Sequence, residues 1–213
     1  MTGARPDRRA ALAGALSLVV VLAGASAKAA PAAPMAPEPG DMALGQAGAP
    51  VTVIEYASVG CPHCAEWANV VFPAFKARYL DTGRARFVMR EMITGDPTLA
   101  TAGFMLARCA GPAKYFAVVD AIFRRQASMY QPPNTPGAVL EDIARSVGVD
   151  AAAFRACMEN QAGLDALDER TRRHATVDKV DSTPTFFVNG RRLEGAIGLD
   201  ELAQAIGAAA RRP

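Results

Sequence analysis

Short apolar runs alternate along this chain with longer stretches in which apolar residues recur at helical spacing. The short runs are rich in Val, Ile, Phe and Thr and are bounded by Gly, Pro or Asn, a pattern that predicts strands. Asn189-Gly190 is typical of a two-residue hairpin turn between two of them. The predicted strands are 51–56, 86–90, 185–188 and 191–193.

The helical stretches are separated by turn residues such as Gly111-Pro112 and Gly148, and Asp150 is a suitable N-cap. The predicted helices are 65–79, 98–109, 113–129, 137–147, 150–160, 163–176 and 200–210. The order is therefore β–α–β, a block of helices, and β–β–α. This order predicts an α/β sheet with a helical insertion that adds no strands.

The first 27 residues have the three parts of a secretory signal. Arg5, Arg8 and Arg9 are basic, residues 10–25 are small or apolar, and Ala25-Ser26-Ala27 fits a cleavage site. We expect cleavage after this site and export, with a periplasmic location. An uncleaved membrane anchor is the alternative, although the apolar run is short for a span of about 20 residues.

Residues 28–49 are rich in Ala, Pro and Gly, which predicts a flexible tether. The whole chain has 23 basic and 21 acidic residues, and the part after the signal is balanced. Such a charge does not favour nucleic acid or an anionic surface as a partner. Export places the four cysteines in an oxidising compartment.

Cys61-Pro62-His63-Cys64 follows the first predicted strand and opens the first predicted helix. The backbone N–H groups and the dipole at a helix N-terminus favour a thiolate, so Cys61 should be acidic and reactive. Pro62 suits the first helical turn, where its missing N–H costs no hydrogen bond. His63 can add positive charge or a hydrogen bond to the thiolate.

This motif has other interpretations. Half of a zinc site would need a second pair of ligands, but Cys109 and Cys157 lie far apart in the sequence. A c-type haem site needs His after the second cysteine, where this chain has Ala65. The strand–CxxC–helix context favours redox chemistry.

The segments Ile54–Cys64 and Thr183–Gly190, with the helical block between them, resemble the DsbA family of exported thiol–disulfide oxidoreductases. The resemblance implies an α/β, thioredoxin-like fold with an all-helical insertion domain. The thioredoxin-like domain would comprise residues 50–95 and 177–213, and the insertion residues 96–176.

The resemblance also implies roles for individual residues. Cys61 would be the exposed nucleophile and Cys64 the buried resolving thiol. Glu55 has the spacing of the family's buried acid, which relays a proton; a solvated strand-edge glutamate is the alternative. Thr183 would offer backbone groups to an extended substrate, and Pro184 would form a cis peptide bond facing Cys61, an ordinary trans proline being the alternative.

Cys109 and Cys157 each lie near the end of a predicted helix in the block. We expect a structural disulfide, because export favours pairing and some relatives in the family carry a second disulfide there. Two separate buried thiols are the alternative. His174, on a charged helix beside Arg172 and Arg173, is predicted to lie on the surface without a role.

The predicted function is that of a DsbA-type oxidase which transfers the Cys61–Cys64 disulfide to reduced or unfolded exported proteins. We expect no cofactor and no metal, a monomer, and, by resemblance only, a membrane redox partner. The alternatives are an isomerase or reductase on the same fold, a non-catalytic peptide-binding chaperone, and metal handling by the thiol pair. Thr183 leaves the direction open, because it departs from the valine of the best-known oxidases.

Overall fold

A five-stranded mixed sheet lies at the centre of the structure, a computed structural model that describes residues 1–3 and 36–211. The strand order is β1-β3-β2-β4-β5, with β2 and β3 parallel and the other pairs antiparallel. The elements below all lie in one compact unit of the chain. The strands are β1 (Met42–Leu44), β2 (Thr52–Ala57), β3 (Arg86–Glu91), β4 (Thr185–Val188) and β5 (Arg191–Glu194).

Eight α-helices surround this sheet in the described part of the chain. They are α1 (Pro62–Val70), α2 (Phe72–Phe75), α3 (Pro97–Cys109), α4 (Tyr115–Arg125), α5 (Pro136–Ser146), α6 (Ala151–Met158), α7 (Gln161–Thr176) and α8 (Leu199–Ala209). A π-helical turn, Lys76–Leu80, follows α2, and a 3₁₀ turn, Gln126–Tyr130, follows α4. In residues 1–3 and 36–211, no helix is long and apolar enough to cross a membrane. The predicted α/β architecture with a helical block is confirmed.

The central strand β2 fixes the position of the CxxC motif. It is buried on both faces, between β3 and β4, which explains its nearly continuous apolar sequence. Trp67 of α1 packs on this sheet, with its ring centroid 4.7 Å from that of Phe186 in β4. Its indole N–H also donates to the carbonyl oxygen of Ile197 at 3.0 Å. The start of α1 is thereby held at the carboxyl end of β2.

The first predicted helix, 65–79, is wrong as a single element. The structure begins it at Pro62 and divides it into α1, α2 and the π-helical turn, with a break at Val71. Pro73 lies two residues after the break. Proline has no N–H and its ring clashes with the preceding turn, so a regular helix cannot continue through this position.

The predicted tether is also wrong in its described part, residues 36–49. Strand β1 lies within it and pairs antiparallel with β3, placing Met42 opposite Met89. The buried guanidinium of Arg90 holds the preceding turn through Asp41, at 3.1 Å, and Glu38, at 3.5 Å. Pairing with a distant strand therefore outweighs the loop-like composition. The signal peptide prediction lies outside the described residues, apart from residues 1–3.

The prediction that His174 lies on the surface is wrong as well. Its side chain is buried, its Nδ1 lies 2.9 Å from the carbonyl oxygen of Glu91, and its ring packs edge-on against Tyr56 at 5.4 Å. Burial lowers the pKa of His174. The charged neighbours in sequence, Arg172 and Arg173, point to other faces of α7, because adjacent helical residues do not share a face.

Side-chain caps fix where several helices of the block begin. Asp96, Asp150 and Asn160 accept hydrogen bonds from backbone N–H groups at the starts of α3, α6 and α7. The predicted N-cap at Asp150 is confirmed. Asp96 also ends the segment that runs from β3 past the CxxC motif, so its cap fixes one wall of the candidate site.

Candidate active site

Cys61 is the N-cap of α1, and Pro62 occupies the first helical turn as predicted. Both Cys61 and Cys64 are free thiols. Cys61 is only 6% exposed, so the predicted exposed nucleophile is largely buried, although it is more accessible than the fully buried Cys64. The structure therefore places the two thiols of one motif in unequal surroundings.

The pKa of Cys61 is lowered to about 5. The largest cause is a hydrogen bond from the Cys64 thiol to the Cys61 sulfur, and burial opposes it. A hydrogen bond from the side chain of Thr183 and the backbone N–H groups of Cys64 and His63 lower it further. Cys61 is therefore a thiolate at neutral pH.

Cys64 has the opposite tendency, with its pKa raised far above that of an ordinary thiol. Burial is the first cause, and the hydrogen bond that it makes with Cys61 and the negative charges of Glu55 and Cys61 add to it. The pair therefore divides into a stable thiolate at Cys61 and a protonated thiol at Cys64.

The predicted role of the His63 imidazole is not what the structure shows. The side chain is 76% exposed, and its Nδ1 lies 3.8 Å from Glu66 Oε2, one helical turn on. It is the backbone N–H of His63 that contributes to the low pKa of Cys61. The imidazole faces solvent because position 63 lies on the outer side of the first turn of α1.

Glu55 lies in the middle of β2 and is 2% exposed, so it is not a solvated strand-edge residue. Burial raises the pKa of its carboxyl to about 8, and the negative charge of Cys61 adds to the shift. Its Oε1 atom has no hydrogen-bond partner among the described residues. It borders an apolar cavity of about 40 Å³, lined also by Trp67, Phe72, Phe87 and Phe116. Such a volume is enough for a water molecule.

The predicted substrate segment lies against Cys61. The Thr183–Pro184 peptide bond is cis, as predicted, and Pro184 is buried. The Cys61 sulfur lies 3.5 Å from the carbonyl oxygen of Thr183, which accepts a hydrogen bond from Cys61 only when the thiol is protonated. Because β4 begins at Thr185, beside β2 in the sheet, the cis bond lies next to the motif that follows β2.

Sequence reasoning missed a third segment of the site, residues 92–96 between β3 and α3. Ser58 donates to the carbonyl oxygen of Thr94 at 2.8 Å, and the N–H of Asp96 donates to the carbonyl oxygen of Gly60 at 3.0 Å. The Thr94 hydroxyl lies 2.5 Å from that of Thr183. These contacts join residues far apart in the chain, and no local sequence pattern predicts them.

Gln126, in the 3₁₀ turn after α4, was also missed. It is buried, and its side-chain amide donates to the carbonyl oxygens of Val59, at 2.7 Å, and Cys61, at 3.3 Å. The helical block is thereby bonded directly to the CxxC loop. No signal in the sequence distinguished this glutamine, because its burial and its partners depend on the folded chain.

Cys109 and Cys157 form a disulfide with their Cα atoms 6.0 Å apart. It joins the ends of α3 and α6 within the helical block. This bond is not part of the site formed by Cys61, Cys64 and Thr183. Across residues 1–3 and 36–211, no group of three or more His, Cys, Asp or Glu side chains is placed to hold a metal ion.

Comparison with known proteins places the chain in a family. The family model described as "Thioredoxin" matches residues 37–208. A Rickettsia typhi protein named "Putative protein-disulfide oxidoreductase" is 33% identical over 166 residues, which are 78% of this chain and 60% of that protein. "Disulfide bond formation protein D" of Bacillus subtilis is 24% identical, with 78% and 76% covered.

The chain spans about 60% of the length of the first of these relatives. Among solved structures, Wolbachia pipientis alpha-DsbA1 has a TM-score of 0.74 and 25% identity, with 82% of this chain and 92% of that chain covered. The chain therefore belongs to the thioredoxin family, as a DsbA-like member with an inserted helical block.

Proposed function

We propose that this protein is an exported thiol:disulfide oxidoreductase of the DsbA type that acts as an oxidase. One observation carries the proposal: Cys61 is held as a thiolate while Cys64, in the same motif, is held as a thiol. Stabilising one thiolate stabilises the reduced protein, at about 1.4 kcal/mol per pKa unit. A stabilised reduced form makes the disulfide form a stronger oxidant.

The reaction begins with the Cys61–Cys64 disulfide. A substrate thiolate attacks the Cys61 sulfur, a mixed disulfide forms, and the electron pair of the broken bond goes to Cys64. Glu55, protonated below a pH of about 8, would supply the proton that Cys64 takes up. The Cys61 edge that faces Thr183 is where the substrate sulfur would bind.

A second substrate thiolate then attacks the substrate sulfur of the mixed disulfide. The Cys61 thiolate leaves, which its low pKa favours. The substrate loses two electrons and gains a disulfide, and the protein gains the two electrons. One of the two substrate protons has been taken up through Cys64, and the other passes to solvent.

The relatives support this assignment by name only. One is named a protein-disulfide oxidoreductase and another a disulfide bond formation protein. By the same resemblance, we propose that the substrates are reduced or unfolded exported proteins and that a membrane redox partner reoxidises Cys61 and Cys64. The signal-like residues 1–27 support export to the periplasm.

The test is a trapping experiment on the oxidised protein and a peptide with two cysteines. Wild-type protein should form the peptide disulfide stoichiometrically and release two thiols at Cys61 and Cys64. To trap the intermediate, Cys64→Ala is first activated at Cys61 with a mixed-disulfide reagent. It should then carry the peptide on Cys61, whereas Cys61→Ala should carry none. If the wild-type protein leaves the peptide thiols unchanged, the proposal is wrong.

A further inference from the structure

Three loops meet beside Cys61. The first follows β2 and holds Ser58 and Cys61, the second is the segment 92–96 after β3, and the third holds Thr183 before β4. Thr94 contacts both of the other loops: its backbone bonds to Ser58 and its hydroxyl to the Thr183 hydroxyl. Thr94 has no contact with Cys61 among the described hydrogen bonds, and its side chain reaches the sulfur only by way of Thr183.

The backbone holds the Thr94 hydroxyl in place. Ser58 Oγ donates to the Thr94 carbonyl oxygen at 2.8 Å and accepts from the Thr94 N–H at 3.4 Å. The next residue, Gly95, has a φ of +73°, and a Cβ there would lie 2.1 Å from the carbonyl oxygen of Gly60. Only glycine fits this approach, so the second loop is locked against the CxxC loop.

The two hydroxyl groups, 2.5 Å apart, share one hydrogen bond, and either can be the donor. A hydroxyl has a single proton. When Thr94 donates, the proton of Thr183 remains free to point to the Cys61 sulfur, and accepting a bond makes Thr183 a better donor. When Thr183 donates, its oxygen presents no proton to the sulfur. The direction of this hydrogen bond therefore decides whether the Thr183 hydroxyl can donate its proton to the Cys61 thiolate.

We propose that Thr94 is a positioning residue for thiol–disulfide exchange, which orients the Thr183 hydroxyl towards the Cys61 sulfur and so stabilises the thiolate. This inference rests on the proposed function, because the thiolate matters only if the pair exchanges disulfides. Thr183 lies against the sulfur, with its carbonyl oxygen 3.5 Å from Cys61 Sγ, and a side-chain hydrogen bond from Thr183 is among the causes that lower the pKa of Cys61. Thr94 acts on the sulfur through the Thr183 hydroxyl and does not contact the reacting atoms.

The test is a double-mutant cycle on the equilibrium between the Cys61–Cys64 pair and glutathione. The proteins are the wild type, Thr94→Val, Thr183→Val and the double variant. Valine keeps the branched shape and removes the hydroxyl. Thr94→Ser restores the hydroxyl, and Thr98→Val makes the same change at an exposed position on α3. If Thr94→Val does not fold, Thr94→Ala takes its place in the cycle.

Thr94→Val should shift the equilibrium about threefold towards the disulfide form, the size expected for one neutral hydrogen bond. In the Thr183→Val background the same change should shift it less than about 1.5-fold, since no hydroxyl remains to orient. Thr94→Ser and Thr98→Val should match the wild type. An unchanged equilibrium in Thr94→Val, a shift towards the dithiol form, an equal shift in both backgrounds, or no rescue by serine would overturn the proposal.

The quantity measured in this experiment does not depend on the proposed oxidase function. The equilibrium is measured on the cysteine pair itself, with no protein substrate. A wild-type protein that equilibrates with glutathione but does not oxidise a dithiol peptide would contradict the proposed function and leave the cycle interpretable. A normal peptide oxidation with no coupling in the cycle would contradict the role of Thr94 alone.

Discussion

The Cys61 sulfur lies 3.5 Å from the carbonyl oxygen of Thr183, a residue 122 positions further along the chain. The sheet brings them together, because β2 ends just before Cys61 and β4 begins just after Pro184, and the two strands are antiparallel neighbours. A peptide whose sulfur attacks Cys61 would therefore lie along the segment before β4. In the proposed function, the nucleophile and the substrate segment would therefore be parts of one surface.

The thiolate at Cys61 can be tested by titration. We expect the ultraviolet absorbance of the thiolate in the reduced protein to rise with a midpoint near a pH of about 5, because hydrogen bonds from Cys64 and Thr183 favour the charged sulfur. Cys61→Ser should abolish this step, and Cys64→Ser should keep a step assigned to Cys61. A midpoint near about 8.5, the value of a free cysteine, would contradict the assignment.

The low pKa of Cys61 also affects stability. Because the folded value is below that of the unfolded chain, the thiolate stabilises the reduced fold fully above a pH of about 8.5. The contribution decreases as the pH falls and is lost below about 5. The difference in free energy of unfolding between the reduced wild type and Cys61→Ser should follow this course, and a difference independent of pH would argue against it.

Glu55→Gln tests the buried carboxyl. The folded pKa of Glu55 is raised from 4.5 to about 8, so the wild-type residue contributes stability below a pH of about 4.5 that is lost as the pH rises through about 8. Relative to wild type, the variant should gain free energy of unfolding between these pH values and keep a constant advantage above them. Urea unfolding of the oxidised form measures this without titration of Cys61, because burial, the larger cause of the raised pKa, acts there in the absence of the Cys61 charge.

The matched control for that experiment is Glu66→Gln, on the exposed side of α1. We expect it to change the free energy of unfolding by less than about 0.5 kcal/mol at any pH. A Glu55→Gln curve parallel to that of the wild type would mean that Glu55 titrates at an ordinary pKa, and would remove it as the proton donor to Cys64.

The Cys109–Cys157 disulfide should stabilise the fold without tuning the site. With a sequence separation of 48, the chain-entropy model gives about 4 kcal/mol for its removal. The double variant Cys109→Ala/Cys157→Ala should lose free energy of unfolding of this order in urea, and the titration of Cys61 should be unchanged. A loss below about 1 kcal/mol, or a shifted Cys61 midpoint, would disagree with this division of roles.

A further prediction concerns Glu91, at the end of β3. Its fully buried carboxylate accepts hydrogen bonds from Arg108 at 2.6 Å, Arg170 at 2.9 Å and the hydroxyl of Tyr115 at 3.1 Å, and so joins α3, α4 and α7 to the sheet. Glu91→Gln removes the charge but keeps the shape. We expect a loss of about 3 kcal/mol in the free energy of unfolding, because the guanidinium groups lose their counter-charge.

Asp120→Asn is the control for Glu91→Gln, since Asp120 pairs with Arg124 on an exposed face of α4. Exposed ion pairs contribute about 0.5 kcal/mol or less. Equal losses in the two variants would show that burial does not strengthen the Glu91 cluster. Circular dichroism during urea unfolding is sufficient to compare them.

Much of the fold could be predicted from the sequence, because periodicity and caps act locally. Strands β2 to β5 and the helices of the block lie within a few residues of their predicted bounds, and Asp150 caps α6 as expected. Strand β1 was missed because Met42, Ala43 and Leu44 have little strand preference of their own. They are extended because β3 offers them an open edge.

The residues of the candidate site can likewise be divided into those that the sequence predicts and those that it does not. The motif Cys61–Cys64 and the Thr183–Pro184 pair are visible in the sequence, because each is a compact group of residues with its own chemistry. Thr94 and Gln126 are not visible, since their importance depends on which loops the folded chain brings together. His174 was misplaced for the same reason: its burial depends on packing against β3 and Tyr56.

The most direct test of the account is the reduction potential of the Cys61–Cys64 pair, measured at equilibrium with glutathione. Proteins of this fold range from about −270 mV for a cytosolic reductant to about −120 mV for a strong oxidant. The Cys61 thiolate and the Cys64 thiol predict a value at the oxidising end, above about −180 mV. A potential near −270 mV, on the order of that of thioredoxin, would contradict the central claim that this protein is an oxidase.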